Sequence, residues 1–292
     1  MKLNSKYEHM YYIAPALIVL VLITIFPTIF LYVISLTNYD LAQKPGTLSF
    51  VGLKNYWYLF SIDKDFWKSV GITLIFTIVS VGVELILGMA IAFLLDGNKT
   101  FRRLKSSMII IPMVVTPAII ALIWKLILNT EYGILNIIIK GIGLPPVNWL
   151  GIETALLSLI LIDIWQWTPY IVLMTYSGLQ TVPAEPLEAA AVDGASWIQR
   201  VRYVIIPHIK PVLSITLLLK TIECLKSFDI VYGLTQGGPG NATEVMSLHI
   251  FRLGFKQTHW IGRASANAVL LLILTIPIIT LLSRNIKYSR DM

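Results

Sequence analysis

Residues 188–211 read EAAAVDGASWIQRVRYVIIPHIKP, and the local chemistry of this stretch decides how the chain is organised. Just before it, Pro186 can begin a helix, because proline is tolerated where the first amides have no helical partner. Leu187–Val192 is rich in alanine, the strongest helix former. Gly194 can take a positive φ and end that helix. Ser196 can cap a second helix running to Ile206, and Pro207 is expected to stop it. The result is an elbow of two short helices hinged at a glycine. Its first half is neither basic nor strongly amphipathic, so it would bind lipid poorly. Its alanines let another surface come close. The stretch therefore predicts a protein-docking surface.

Both flanks of the elbow are apolar. The 292 residues are 56% hydrophobic and 13% charged, about half the charge of an ordinary soluble domain. Six stretches are long enough to cross about 30 Å of hydrocarbon as helices: Tyr11–Leu36, Ser69–Leu95, Ser106–Leu128, Thr154–Leu179, Val212–Leu234 and Ala264–Ser283. The first is too long for the core of a signal peptide and is followed by no small-residue cleavage site, so it is expected to remain as an anchor. With a cytoplasmic N-terminus, the inner segments hold 12 Lys and Arg and the outer ones 8. The excess is densest around Lys99, Arg102, Arg103 and Lys105. Basic inner loops are the rule for multi-pass proteins. The expectation is thus an all-α protein, one membrane domain over 1–292, with six transmembrane helices, both termini cytoplasmic, and the elbow in the cytoplasmic loop between spans four and five. The net charge of +7 follows from this topology, and nucleic acid is not needed to explain it.

Several chemistries lack their residues. No G-x-x-x-x-G-K-[ST] loop is present to hold a nucleotide, no H-E-x-x-H, and no G-x-S-x-G. His9, His208, His249 and His259 are scattered, and Cys224 is the only cysteine. No metal site, cofactor or catalytic residue is expected, and the chain is not read as an enzyme.

The elbow's residues carry a resemblance. Glu188-Ala189-Ala190, then Asp193-Gly194-Ala195, Ile206-Pro207 and Pro211, resemble the EAA loop of permease subunits of bacterial ABC importers. Phe228–Tyr232 followed by Thr235–Glu244 is similar to the region after the fifth span in carbohydrate permeases of the maltose, glycerol-phosphate and multiple-sugar type, in particular the first of their two permeases. Trp165, Thr168-Pro169 and Gly178-Leu179-Gln180 also fit. Glu185-Pro186-Leu187 departs from the family's usual apolar lead-in and should stiffen the helix start. The resemblance implies a plasma-membrane subunit that pairs with a second homologous permease, two ATP-binding subunits and an external solute-binding protein. ATP would be bound by those partners. Glu188, Ala189, Ala190, Asp193 and Gly194 would form a coupling helix seated on the ATPase, Glu188 facing a basic group there. The rivals are an ion-coupled secondary transporter, which has no use for an EAA loop, and an ABC permease for a non-sugar solute, against which residues 237–244 argue.

Charge inside the spans marks the candidate solute path, since an ion in hydrocarbon costs at least about 2.5 kcal/mol. The fifth stretch holds Lys220, Glu223, Lys226 and Asp229, and the fourth holds Asp163. At helical spacing Lys220, Glu223, Cys224, Ser227 and Val231 share one face, while Asp163, Gln166, Trp167, Tyr170 and Met174 share another. Lys226 and Asp229 are spaced to pair. The resemblance implies sugar contacts at Asp163, Trp167, Tyr170, Lys220, Cys224 and Ser227. Two readings stay open. The charges pair with one another to hold helices in register, or they meet a charged or amino-acid-conjugated sugar, its carboxylate on Lys220 and its ammonium on Glu223 or Asp163. Glu84 and Lys125 are expected to be structural or interfacial.

Overall fold

The computed structural model of the chain describes residues 5–42, 48–97, 110–256 and 259–287. The cations Lys99, Arg102, Arg103 and Lys105, on which the sidedness rests most heavily, lie outside the described residues. The described residues form helices and one isolated bridge, Thr37 with Phe50. The helices are α1 (Ser5–Ser35), α2 (Lys54–Ser61), α3 (Lys64–Asp96), α4 (Pro117–Ile127), α5 (Ile134–Gly141), α6 (Ala155–Leu179), α7 (Ala184–Val192), α8 (Trp197–Leu225), α9 (Asp229–Leu234), α10 (Met246–Phe251) and α11 (Ile261–Lys287). A further helical stretch covers 110–114. Among the described residues, α1, α3, α6, α8 and α11 are long and apolar enough to cross a membrane. α1 leaves Leu22, Ile23 and Phe26 60%, 68% and 68% exposed, a surface suited to lipid.

Two of the expected spans differ from the sequence reading. The third, expected over Ser106–Leu128, is broken: helix ends at 114, Thr116 is extended (φ −62°, ψ 142°), and α4 is only 11 residues long. Pro117 is the cause, because its ring pushes the preceding residue out of the helical region. The fifth, expected over Val212–Leu234, starts and ends earlier. α8 runs from Trp197 through Pro207 and Pro211 and stops at Leu225. Pro207 does not stop the helix, because Val201–Ile205 widens into a π turn just before it, where the ladder already skips a bond. The elbow's second arm and the fifth span are one helix. Pro186 likewise does not open the first arm. α7 begins two residues sooner, at Ala184, capped by extended Pro183.

The chain divides into two compact units, 1–66 with 249–273, and 67–248 with 274–292. In the first, the end of α1, helix α2 and the start of α11 are tied by polar groups. Asn55 Nδ2 donates to the carbonyls of Ser35 (2.8 Å) and Thr37 (2.7 Å), and Gly262 N donates to Tyr39 O (2.9 Å). The Arg263 guanidinium lies between the rings of Tyr58 and Trp260, at 3.6 and 3.7 Å from their centroids.

In the second unit, α3, α6 and α8 pack through Ala92, Leu95, Val172, Leu179 and Ile209, all buried. Gly88 lets α3 approach α6, where a Cβ would lie 2.5 Å from Ile171 Cγ2. Gly233 does the same for α9, where a Cβ would meet that of Ala121 on α4 at 2.7 Å. Small residues at such contacts are how helices come close where lipid offers no hydrophobic contrast.

Candidate functional site

The ion cluster lies inside the second unit, where three long helices meet. Lys220 on α8 is 1% exposed, and its ammonium donates to Asp163 Oδ2 on α6 at 3.1 Å. The same Nζ stands 3.4 Å from Glu84 Oε1 on α3, 4.0 Å from Glu223 Oε2 one turn along α8, and 4.8 Å from the centroid of the Trp167 ring. Glu84 is fully buried and Asp163 nearly so, whereas the Glu223 side chain is 38% exposed. Cys224 Sγ faces the same Asp163 oxygen at 3.7 Å. One cation thus binds three helices, a geometry that would leave bare carboxylates in an apolar interior if the lysine were lost.

A cleft of about 180 Å³ opens beside this cluster. It is lined by the sequence-derived residues Asp163, Trp167, Lys220, Glu223, Cys224 and Ser227, with Lys226, Phe228 and Asp229 beyond them. Tyr170 is half-buried and stands edge-on to Trp167, centroids 6.4 Å apart. Gln166 is not in the cleft. It is fully buried, and its Nε2 donates to Val115 O at 3.1 Å, at the break before α4. Among the described residues no ion pair joins Lys226 to Asp229. α8 ends at Leu225, so the three-residue helical spacing expected of them is lost, and Val231 moves to α9, where it is buried.

Sequence reasoning missed Glu84 as a partner of Lys220. A carboxylate in an apolar span was a visible signal, but nothing in the linear order pairs residue 84 with 220. It also missed Asp63, which precedes the second of the long helices. Asp63 Oδ1 accepts from the amides of Asp65 (3.0 Å) and Phe66 (3.1 Å), and Oδ2 meets His249 Nε2 at 3.1 Å. Burial opposes its ionisation, but the His249 ring and the two amides outweigh burial and hold the carboxyl below its ordinary value.

The elbow presents a second, exposed site. α7 ends in a Schellman turn: Ala195 N donates to Ala190 O (2.9 Å), Gly194 N to Ala191 O (3.1 Å), and Gly194 has φ +78°. Ser196 then caps α8 reciprocally, its hydroxyl accepting from Gln199 N (3.4 Å) and its amide donating to Gln199 Oε1 (2.7 Å). Glu188, Ala189, Asp193 and Gly194 are exposed and Ala190 half-buried. Val192, Trp197 and Ile198 expose apolar side chains at 88%, 59% and 70%. A cleft of about 310 Å³ lies in the angle, lined by Ala190, Asp193, Gly194, Gln199, Arg200 and Tyr203 among others.

Residues 84–288 match the family described as the inner-membrane component of binding-protein-dependent transport systems. The chain belongs to this family. This permease is 38% identical over 272 residues to the trehalose/maltose transport system permease protein MalF of Thermococcus litoralis, covering 92% of this chain and 90% of that one. It is 30% identical over 278 residues to the sulfoquinovosyl glycerol transport system permease protein SmoG of Agrobacterium fabrum, covering 94% and 89%. A crystal structure of a bacterial ABC transporter that imports the acidic polysaccharide alginate shares its fold, with a TM-score of 0.83 over 99% of this chain and 97% of that chain at 20% identity. The permease is therefore a multi-pass inner-membrane subunit of an ABC importer, and an ion-coupled carrier is not favoured.

Proposed function

We propose that this permease carries a sugar or sugar-like solute across the bacterial plasma membrane as one of two homologous permeases, driven by two ATP-binding subunits and fed by an extracytoplasmic solute-binding protein. Relatives named for trehalose/maltose and for sulfoquinovosyl glycerol support the carbohydrate class. The observation that carries the coupling role is the elbow. Gly194 turns the chain at positive φ between an alanine-rich arm and an arm continuous with α8, which runs unbroken to Lys220 beside the cleft. A push on α7 from a closing ATPase dimer would travel along one rigid helix to the ion cluster, a lever joining two two-state elements.

In this reading the chain has six spans, the third formed by 110–114 with α4, both termini are cytoplasmic, and the elbow faces the ATPases. Glu188 meets a basic group of the ATPase, Ala189 and Ala190 allow close packing, and Asp193 with Gly194 makes the turn. Asp163, Trp167, Tyr170, Lys220, Glu223, Cys224 and Ser227 line the solute path, and Gln166 supports the break at Val115. The chain hydrolyses nothing itself and needs no cofactor of its own. The test is uptake by a strain lacking this gene over a panel of labelled sugars, complemented by the wild-type chain and by Gly194→Val. Sugar uptake restored by the first and not by the second is the expected result. Restoration by both removes the elbow from the mechanism, and uptake of no sugar removes the carbohydrate reading.

A further inference from the structure

We propose that the cleft beside Lys220 selects solutes bearing an ammonium group, such as amino sugars, and rejects anionic ones. The proposal rests on the solute-path reading above. Lys220 cannot serve an incoming carboxylate. Its ammonium is 1% exposed and already faces Asp163, Glu84 and Glu223 at 3.1, 3.4 and 4.0 Å, with the Trp167 ring beside it. A solute anion would have to displace an established carboxylate and leave it bare in the interior.

The charges around the cleft add to the same sign. Among the described residues that line it, Asp163, Glu223 and Asp229 are acidic and Lys220 and Lys226 basic. Three carboxylates thus line the cleft against two ammonium groups. An excess of one sign along a cleft raises the local concentration of solutes of the other sign. Of the acids, Glu223 is the one held loosely by Lys220, at 4.0 Å with its side chain 38% exposed. The Trp167 ring also lines the cleft, with Lys220 over it at 4.8 Å. A carboxylate beside an aromatic face is the pairing that holds an ammonium group carried on a sugar ring, by charge-assisted hydrogen bonding and by cation–π attraction.

The experiment uses the assembled transporter, with its partner permease, ATPases and binding protein, in proteoliposomes. Three disaccharide probes are compared: one of glucosamine with free amines, its N-acetylated counterpart, and a digalacturonate. The free-amine probe is expected to move fastest and the uronate slowest. Glu223→Gln should lower the ratio of free-amine to N-acetylated uptake about tenfold, the scale of one charged hydrogen bond. Asp229→Asn, on an exposed rim position, should lower it in the same direction by a smaller factor, and it serves if the Glu223 variant does not assemble. Equal or faster uptake of the N-acetylated or uronate probe by the wild type overturns the proposal and leaves the carbohydrate reading standing. So does an unchanged ratio in the variants that assemble. Uptake of none of the three also overturns the proposal, while the carbohydrate reading is decided by the wider panel of sugars.

Discussion

At Lys220, one ammonium holds carboxylates from three helices, and the distances rank them. Asp163 and Glu84 are buried and close, Glu223 is looser and part-exposed. Lys220→Met should therefore cost about 3–5 kcal/mol of stability, because it strands charges that have no water to turn to. Adding Glu223→Gln should recover little, whereas adding Asp163→Asn and Glu84→Gln together should recover most of it. Thermal unfolding of the assembled complex measures all three, and a Lys220→Met complex that melts with the wild type would dismiss the cluster as an anchor.

Asp63 gives a pH-dependent counterpart. Its carboxyl is held below the ordinary value despite burial, by His249 and two amides, so the folded chain binds this proton less readily than the unfolded one. Its contribution is then fully present above about pH 4, the ordinary carboxylate range, and is lost as pH falls through the lowered folded value. The stability gap between the wild type and Asp63→Ala should shrink on acidification below that point, and a gap constant with pH would show the carboxylate charge to be irrelevant.

At the scale of elements, two glycines do different work. Gly194 has φ +78° and no atom within 4 Å of a Cβ built on it, so only its backbone conformation restricts substitution. Gly194→Val should be strained by about 1–3 kcal/mol, re-aim α7, and leave the chain inserted but uncoupled, while Gly194→Asn should retain much activity because asparagine tolerates this region. Glu188→Lys should weaken capture of the ATPase subunit in pull-downs without changing the fold, since the residue is exposed. Gly88 is the opposite case. A Cβ there would sit 2.5 Å from Ile171 Cγ2, so Gly88→Val should force α3 from α6 and lower the melting temperature, an overpacking cost of about 1–3 kcal/mol. A Gly88→Val complex as stable as the wild type would mean that this contact yields freely.

For the whole molecule, the purified chain is expected to hydrolyse no ATP, and activity should appear only with the ATP-binding partners. Hydrolysis by the chain alone, at the rate of the complex, would break the assignment. The tether between site and elbow is α8, and its continuity through Pro207 was not legible in the sequence. A proline reads locally as a stop, and the π turn that accommodates it is visible only in the backbone. The helix break at Pro117 was equally hidden, because an apolar run of the right length looks the same whether it is straight or interrupted.

Short-range chemistry alone determined the turn of the elbow, though not where its arms begin and end. The glycine hinge, the Ser196–Gln199 cap, the alanine arm and the apolar lengths of four of the long helices all follow from residues within a few positions of one another, and local rules suffice for them. The sequence also placed Asp163 and Trp167 on one helix face and Lys220 and Glu223 on another. Only the tertiary structure decided how those faces meet. It brought Glu84 to Lys220 across 136 positions, took Gln166 out of the cleft to bond Val115, and separated Lys226 from Asp229 by ending α8 at Leu225. The physical reason is that a buried ion is satisfied by whichever opposite charge packing brings within about 4 Å, and packing between distant helices is not written in their spacing along the chain.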